Sequence, residues 1–351
     1  MPVEETKVIS KSSVSSRIIA AGIVIAFCYW ASTILVTLLV AVLMAYFLDP
    51  VVGWMERARI PRALGSLIVV LLTIAVLVVV GYSLIDRADQ FGADWPKYRA
   101  PLQSAAQAVE SRLESVESHV SEIASTERPG EKVVTSESHT LRDMLVGRLN
   151  SLYEFILAAT FVPFLLFFML AAKRQVWHAT MQLFAPGERT AVRDALSEVT
   201  QVLRSYLMGT ALVGLILIIA SWLFFWVLGL DFPFLTGLVS GICNLVPYLG
   251  VIMSWVPPLL VGLKQYHTVT PFIGIFAMLT FFHIVTANLL IPALVGWRVR
   301  LNALALTISL LFWGWMWGAM GLILAIPITA VLKVVCDHVE SLQPVGRWLS
   351  A

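Results

Sequence analysis

The chain has 351 residues, 59% of them hydrophobic and 13% charged, with a mean hydropathy of +0.85. Soluble domains average roughly 45–50% apolar and about 25% charged residues, so this composition excludes a soluble globular protein and describes a polytopic membrane protein. The net charge of +2 says little about partners, but no Lys/Arg-rich run points to nucleic acid, so no nucleic-acid partner is expected. Cys28, Cys243 and Cys336 are far apart and form no metal-type spacing, so no cofactor or metal is expected.

Residues 1–17 read as a polar cytoplasmic tail carrying Lys7, Lys11 and Arg17. From Ile18 to Leu48 no charge occurs. One straight helix of that length would run about 46 Å against a hydrocarbon core of about 30 Å. Asp49 to Pro61 is followed by Arg62 and carries Arg57 and Arg59, which marks an inside loop and favours two short helices in a hairpin over one long tilted helix. Within that loop VVGWMERAR reads as a short amphipathic piece. Leu64 to Ile85 is a clean span and closes an N-terminal membrane region, 18–85.

Residues 86–152 are the one sizeable polar region, richer in acids than in bases, as suits an extracytoplasmic position. Leu102, Ala106, Val109, Leu113, Val116, Val120 and Ile123 recur at alternating spacings of four and three, the pattern of a coiled-coil seam. A second amphipathic helix with Leu141, Leu145, Leu149 and Leu152 leads into the span 153–172, which contains Pro163 and ends at Lys173 and Arg174. Residues 173–205 hold an amphipathic helix whose apolar face is Val192, Leu196, Val199, Leu203 and Tyr206. Its expected place is the cytoplasmic surface, feeding into the next span.

The remaining membrane portion, 206–333, is apolar but repeatedly interrupted. Phe232 to Leu263 contains Pro233, Pro247, Gly250, Pro257 and Pro258, and reads as a helical hairpin bent at Pro247-Tyr248-Leu249-Gly250. Val269 to Gly296 crosses back, and Arg298 and Arg300 land inside. Leu301 to Leu332 is again broken, by Gly314, Gly318, Gly321 and Pro327. Two units, 206–264 and 267–333, therefore share a plan of one span, one broken stretch and a closing Lys, with Pro257 and Pro327 at matching places. An odd number of crossings per unit would invert the second copy. The tail 334–351 is then cytoplasmic. Broken helices matter because their freed backbone groups must be satisfied by protein or by water lining a cavity, as in the substrate sites of many secondary transporters.

Within those stretches Asn244 and Asn288 are the informative polar groups, either contacting a solute path or bonding helix to helix. Tyr248 either caps the bend or lines the path. His283, one turn before Asn288, is a titratable group within a span and so a candidate for the path or for proton relay, against a packing role. Pro247, Gly250, Pro257, Pro292, Gly296 and Pro327 shape or break the backbone. Asp231 and Lys264 bracket the hairpin as interfacial charges, and Gly237/Gly241 and Gly314/Gly318 allow close helix approach. The absence of HExxH, GxSxG and GxxxxGK[ST] motifs argues against an enzyme, so no catalytic residue is assigned.

The segments AYFLDPVVGWMERARIPRALG, SYLMGTALVGLIL, LVSGICNLVPYLG, NLLIPALVG and FWGWMWGAMGLILAIPITAVLK, in that order over nearly the whole chain, resemble the autoinducer-2 exporter family. The resemblance implies a multi-pass permease of the bacterial inner membrane, with about eight spans of bilayer length. It also implies homo-oligomers and no ATP-hydrolysing machinery. Many members place an acidic residue just before the Asn of NxLxP, where this chain has Ala287. That departure weakens proton or cation coupling at this point. The expected fold is thus an all-α polytopic membrane protein with broken hairpin helices in its C-terminal half and an extracytoplasmic helical hairpin. The expected function is a secondary transporter exporting or exchanging a small polar solute, with a proton or sodium ion as the coupling ion. A cation/proton antiporter and a non-transporting scaffold using the coiled coil are the alternatives.

Overall fold

The computed structural model describes residues 14–82, 85, 141–244, 246, 249–266, 268–295 and 301–350, and among the described residues the chain is helical with no strand. The coiled-coil seam Leu102 to Ile123 lies outside them. Five described helices are long and apolar enough to cross a membrane, and a sixth crossing exists if a pair bent by 72° counts as one. The all-α, membrane-embedded architecture expected from composition is what folds.

Helix α1 (Val14–Trp30) and α2 (Ser32–Arg57) meet at the single residue Ala31. The Ala31 N–H donates to the Phe27 carbonyl at 2.8 Å and the Leu35 N–H to the Ala31 carbonyl at 2.9 Å, so the helical ladder runs through the junction. This corrects the hairpin expected within Ile18–Leu48. A reversal there would leave N–H and C=O groups unpaired in hydrocarbon, and the stretch has no proline and one glycine, Gly22, which lies inside α1. The excess length is taken up at the other end. Helix α2 continues through Pro50 to Arg57, so VVGWMERAR is its last turns and not a separate piece.

The continuation past Pro50 is held by charge. Arg62, at the start of α3 (Arg62–Tyr82), donates from Nη2 to Asp49 at 2.7 Å, from Nη1 to Glu56 at 3.2 Å and from Nε to the Leu170 carbonyl at 2.8 Å. Lys173 reaches the other Asp49 oxygen at 2.6 Å and Arg174 reaches Glu56 at 2.9 Å. The Arg62 side chain is only 15% exposed. Directly above this network Val52, Val69, Val70, Leu166 and Leu170 form one apolar cluster. Helices α2, α3 and α4 (Leu141–Ala171) are thereby tied at one end.

At Ala172 the chain bends by 72° into α5 (Lys173–Gln182). Helix α6 (Arg189–Leu228) is continuous for 40 residues, about 60 Å, and so extends well past a bilayer core. Its first half was expected on the membrane surface. It feeds directly into the span, as expected, and Val199 and Leu203 of its apolar face, with Val202, are buried against Ala330 and Val334 of the long helix Ala303–His338.

Two helical hairpins use α6 as their rail. Helices α7 (Pro233–Cys243) and α8 (Leu249–Gln265) form the first, which matches the bend expected near 247–250. Its open end is closed beside the C-terminus of α6. The Asp231 N–H donates to the Gln265 side chain at 2.9 Å, the Tyr266 hydroxyl donates to the Leu228 carbonyl at 2.9 Å, and Lys264 pairs with Asp231 at 3.7 Å. Gly237 abuts Trp222 and Gly241 abuts Ile218, so α7 descends antiparallel to α6. Helix α9 (Thr270–Val285) and a π-helical segment (Thr286–Val295) then run the length of the bundle, ending with Leu294 against Gly209.

The second hairpin is α10 (Ala303–His338), whose helical backbone is interrupted at Trp317 and Gly318. A straight helix of 36 residues would separate its ends by about 54 Å. They are close together. Asn302 donates from its side chain to the Trp348 carbonyl at 2.6 Å, while Gly346, on the same short α11 (Gln343–Ser350), lies against Asp337. An eight-residue helix spans about 12 Å, so α10 must double back. Gly321 meets the Trp313 carbonyl and Gly314 meets Leu322 across the fold. The length of α10 therefore does not make it a crossing helix.

Gly318 has φ +60° and ψ −139°, a region almost restricted to glycine. Gly318→Ala and Gly321→Val should each destabilise the purified protein by about 1–3 kcal/mol in thermal unfolding, through backbone strain and overpacking respectively. Gly274→Ala, whose new methyl meets open space, should stay within about 0.5 kcal/mol. Arg62→Ala should cost about 1–3 kcal/mol, because it leaves Asp49 with Lys173 alone, Glu56 with Arg174 alone and the Leu170 carbonyl without its donor. Arg62→Lys should not restore it, since a single ammonium nitrogen does not span the acceptors that the guanidinium fork reaches.

Candidate functional site

Contacts along α6 give each polar candidate a depth. Ile218 faces Gly241, and the chain descends three more residues to Asn244, which is therefore level with about residue 215 of α6. Leu294 faces Gly209, so Asn288, six residues earlier, stands within about a turn of the same level. The returning arm of α10 begins at Ala319 and ends at His338, which lies 3.6 Å from Glu198. Its 20 residues rise about 30 Å, which carries the Trp317–Gly318 turn to the same middle stretch of α6. Two hairpins thus enter from opposite ends of α6, and their tips reach a common depth.

Depth is not proximity. Gly209 and Ile218 are nine residues apart, which sets them on opposite sides of α6 at 100° per residue. The body of α6 therefore stands between Asn244 and Asn288. Asn244 caps the C-terminus of α7, its N–H donating to the Ser240 carbonyl at 3.0 Å, and is half-buried. Asn288 is exposed, and its amide donates back to the Ile284 carbonyl at 2.9 Å. Pro247, Tyr248 and Gly296 lie outside the described residues.

The backbone-shaping residues divide. Gly250 is buried with its Cα side against the Cys243 carbonyl and Asn244, so the first hairpin closes only because this position has no side chain. Pro292 lies inside the π segment, where the wider turn absorbs its missing N–H. Pro257 and Pro327 break nothing: α8 and the returning arm of α10 run through them. Among the described residues of these stretches, the interruptions are the junction of α7 and α8 and the turn at Trp317–Gly318.

His283 belongs to a group not singled out by sequence reasoning. Its Nδ1, Thr280 Oγ1, Thr286 Oγ1 and Trp255 Nε1 are all buried and have no hydrogen-bond partner among the described residues. Thr280 and His283 of α9 and Thr286, the first residue of the π segment, follow at intervals of three, and Trp255 of α8 rests on Phe276, one turn before Thr280, at 4.5 Å between ring centroids. Each unmet buried group costs about 1–3 kcal/mol, so this seam is a costly polar strip between α8 and α9. The period of Thr280, His283 and Thr286 was the available signal. At the hairpin base, burial and the neighbouring Asp231 carboxylate push the Tyr266 phenol up.

Cavities line α2 at two heights. One of about 460 Å³ lies between the hydroxyl-bearing turns Ser32, Thr33 and Thr37 and the α10 turn at Met316–Met320. Another, of about 270 Å³, lies deeper along α2 and reaches Tyr46, Asp49 and Lys173. Among the described residues no group of His, Cys, Asp and Glu has the arrangement of a metal site.

The family model described as AI-2E family transporter matches residues 18–341. The chain is 29% identical over 317 residues to "Putative transport protein YrrI" of Bacillus subtilis (strain 168), covering 87% of this chain and 86% of that protein. It is 26% identical to "AI-2 transport protein TqsA" of Escherichia coli (strain K12), covering 92% and 90% respectively. "Putative permease PerM" of the same strain is 27% identical over 91% of this chain and 90% of its own length.

Thr286→Val tests the polar seam. If the hydroxyl is unpaired in the folded protein, the substitution should leave thermal stability unchanged or raise it by up to about 1 kcal/mol. A loss larger than that would mean the hydroxyl is bonded within the protein.

Proposed function

The chain belongs to the AI-2E transporter family, and from that premise we propose that it is a secondary permease carrying a small polar solute across the membrane by alternating access. The observation that carries this reading is the pair of re-entrant hairpins, α7–α8 and α10, entering from opposite ends of α6 with tips at one depth. Each tip interrupts a helix inside the apolar layer and frees backbone groups there, which hydrocarbon cannot satisfy and a solute or water can. Units 206–264 and 267–333 are then an inverted repeat of one long helix plus one hairpin, the plan by which secondary transporters set a site near the midplane.

Asn244, at the first tip, and His283, in the unmet polar seam, are the groups assigned to the path. Asn288 supports helix contacts from its exposed face, including contacts between copies of the chain in a homo-oligomer. The end of the bundle carrying Arg57, Arg59, Arg62, Lys173, Arg174 and Arg189 is assigned to the cytoplasm by its positive charge, with the C-terminal α11 on that side. TqsA is named for AI-2, which makes that signal the first solute to assay.

Proteoliposomes containing the purified protein should move a small polar solute down its gradient, and Asn244→Ala should lower that flux several-fold at equal insertion. Unchanged flux in both Asn244→Ala and His283→Ala would remove these residues from the path. Dependence of flux on an imposed proton or sodium gradient would favour exchange over uncoupled export.

A further inference from the structure

A cleft of about 790 Å³ lies between α5 and α6, at the cation-rich end of the bundle. Its α6 wall is formed by Ser197, Thr200, Gln201, Arg204 and Met208, which fall on one face at helical spacing. Lys173 and Trp177, one turn apart on α5, form the facing wall. Two cations, an amide and several hydroxyls thus surround a space that no carboxylate lines. Arg204 makes no ion pair among the described residues. Glu198, the neighbouring acid of α6, is directed to His338 at 3.6 Å on the α10 side.

Lys173 belongs both to this cleft and to the network at Asp49. In that network Asp49 and Glu56 face Arg62, Lys173 and Arg174, two acids against three bases. Asp49 is also held by Arg62 at 2.7 Å, and the Lys173 side chain is more exposed than that of Arg62, 42% against 15%, so Lys173 is the member open to sharing. The N-terminus of α5 begins at Lys173 after the 72° bend, and its partial positive charge adds to the same end of the cleft. A smaller cavity continues inward from the cleft, with Lys173, Trp177 and Thr200 lining both.

We propose that the α5–α6 cleft is an anion-binding site, in which Lys173 and Arg204 hold a phosphate- or carboxylate-bearing ligand with Gln201 and Thr200 as neutral hydrogen-bond partners. The bound anion competes with Asp49 for Lys173 and so loosens the tie between α2 and α5. Its source is a soluble anion or the headgroup of an anionic phospholipid, which share this chemistry. The site stands independently of the transport reading, because its occupancy is measured without flux.

The full chain in phosphatidylcholine nanodiscs is titrated with inorganic phosphate against sodium chloride at matched ionic strength, and thermal unfolding is followed. Phosphate should raise the Tm of the wild type. Arg204→Gln should weaken the apparent affinity at least tenfold, Arg204→Lys should retain most of it, and Arg193→Gln, on the same helix outside the cleft, should behave as wild type. In phosphatidylglycerol nanodiscs a headgroup ligand would stabilise the wild type over Arg204→Gln and blunt the response to phosphate, whereas a soluble ligand would leave that response intact. Equal responses of wild type and Arg204→Gln in both lipids, or no response in either, would overturn the site.

Discussion

Inside hydrocarbon a helix can stop only where something else completes its backbone hydrogen bonds, and this constraint orders the molecule. It explains why the chain passes Ala31 with its hydrogen-bond ladder kept, and Pro50, Pro163, Pro257 and Pro327 without leaving the helix. It also explains why the two hairpin tips occur where backbone folds against backbone. Gly250 lies on the Cys243 carbonyl at one, and Gly321 lies on the Trp313 carbonyl at the other. A side chain at either glycine would hold the arms apart and leave the tip unsupported.

The hairpins are closed by polar groups at their open ends, where water is near, and by small residues at depth. Gln265, Tyr266, Asp231 and Lys264 lace the first to the end of α6. Asn302 and α11 do the same for the second at the opposite end. In between, Gly237, Gly241, Ser240 and Ser254 let α7 and α8 approach α6 and each other, with the Ser240 hydroxyl donating to the Ser254 carbonyl at 2.8 Å. Association in a bilayer gains little from apolar burial, so close backbone approach and a few hydrogen bonds carry it. The hairpins are therefore anchored by polar groups at their bases, while the second tip is held to α1, where Trp317 Nε1 donates to the Cys28 carbonyl at 3.1 Å and Trp315 stacks on Tyr29.

At the other side of the bundle the tie is ionic. Arg62 gathers Asp49, Glu56 and a main-chain carbonyl freed where α4 gives way to α5. The bend at Ala172 leaves that carbonyl without its helical donor, and the guanidinium supplies one. Motif, bend and ion pairs are one device, and it sets the cleft between α5 and α6 that carries the surplus positive charge.

Composition alone determined that the chain lives in a membrane, because no soluble fold hides so large an apolar fraction. Glycine and proline spacing in 230–332 announced two broken stretches, and the order of short motifs announced the family. What the sequence could not say is which breakers break. A proline can be absorbed by a helix that tilts or widens, whereas a glycine at positive φ such as Gly318 cannot be replaced by a straight turn, and only tertiary contacts distinguish the two cases. The Asp49 to Lys173 pairing and the unmet seam of Thr280, His283 and Thr286 were hidden for a similar reason. They depend on which faces of distant helices meet, and on the side of α6 from which each approaches. Rotation about a helix axis is decided by packing across the bundle, not by the residues of one helix.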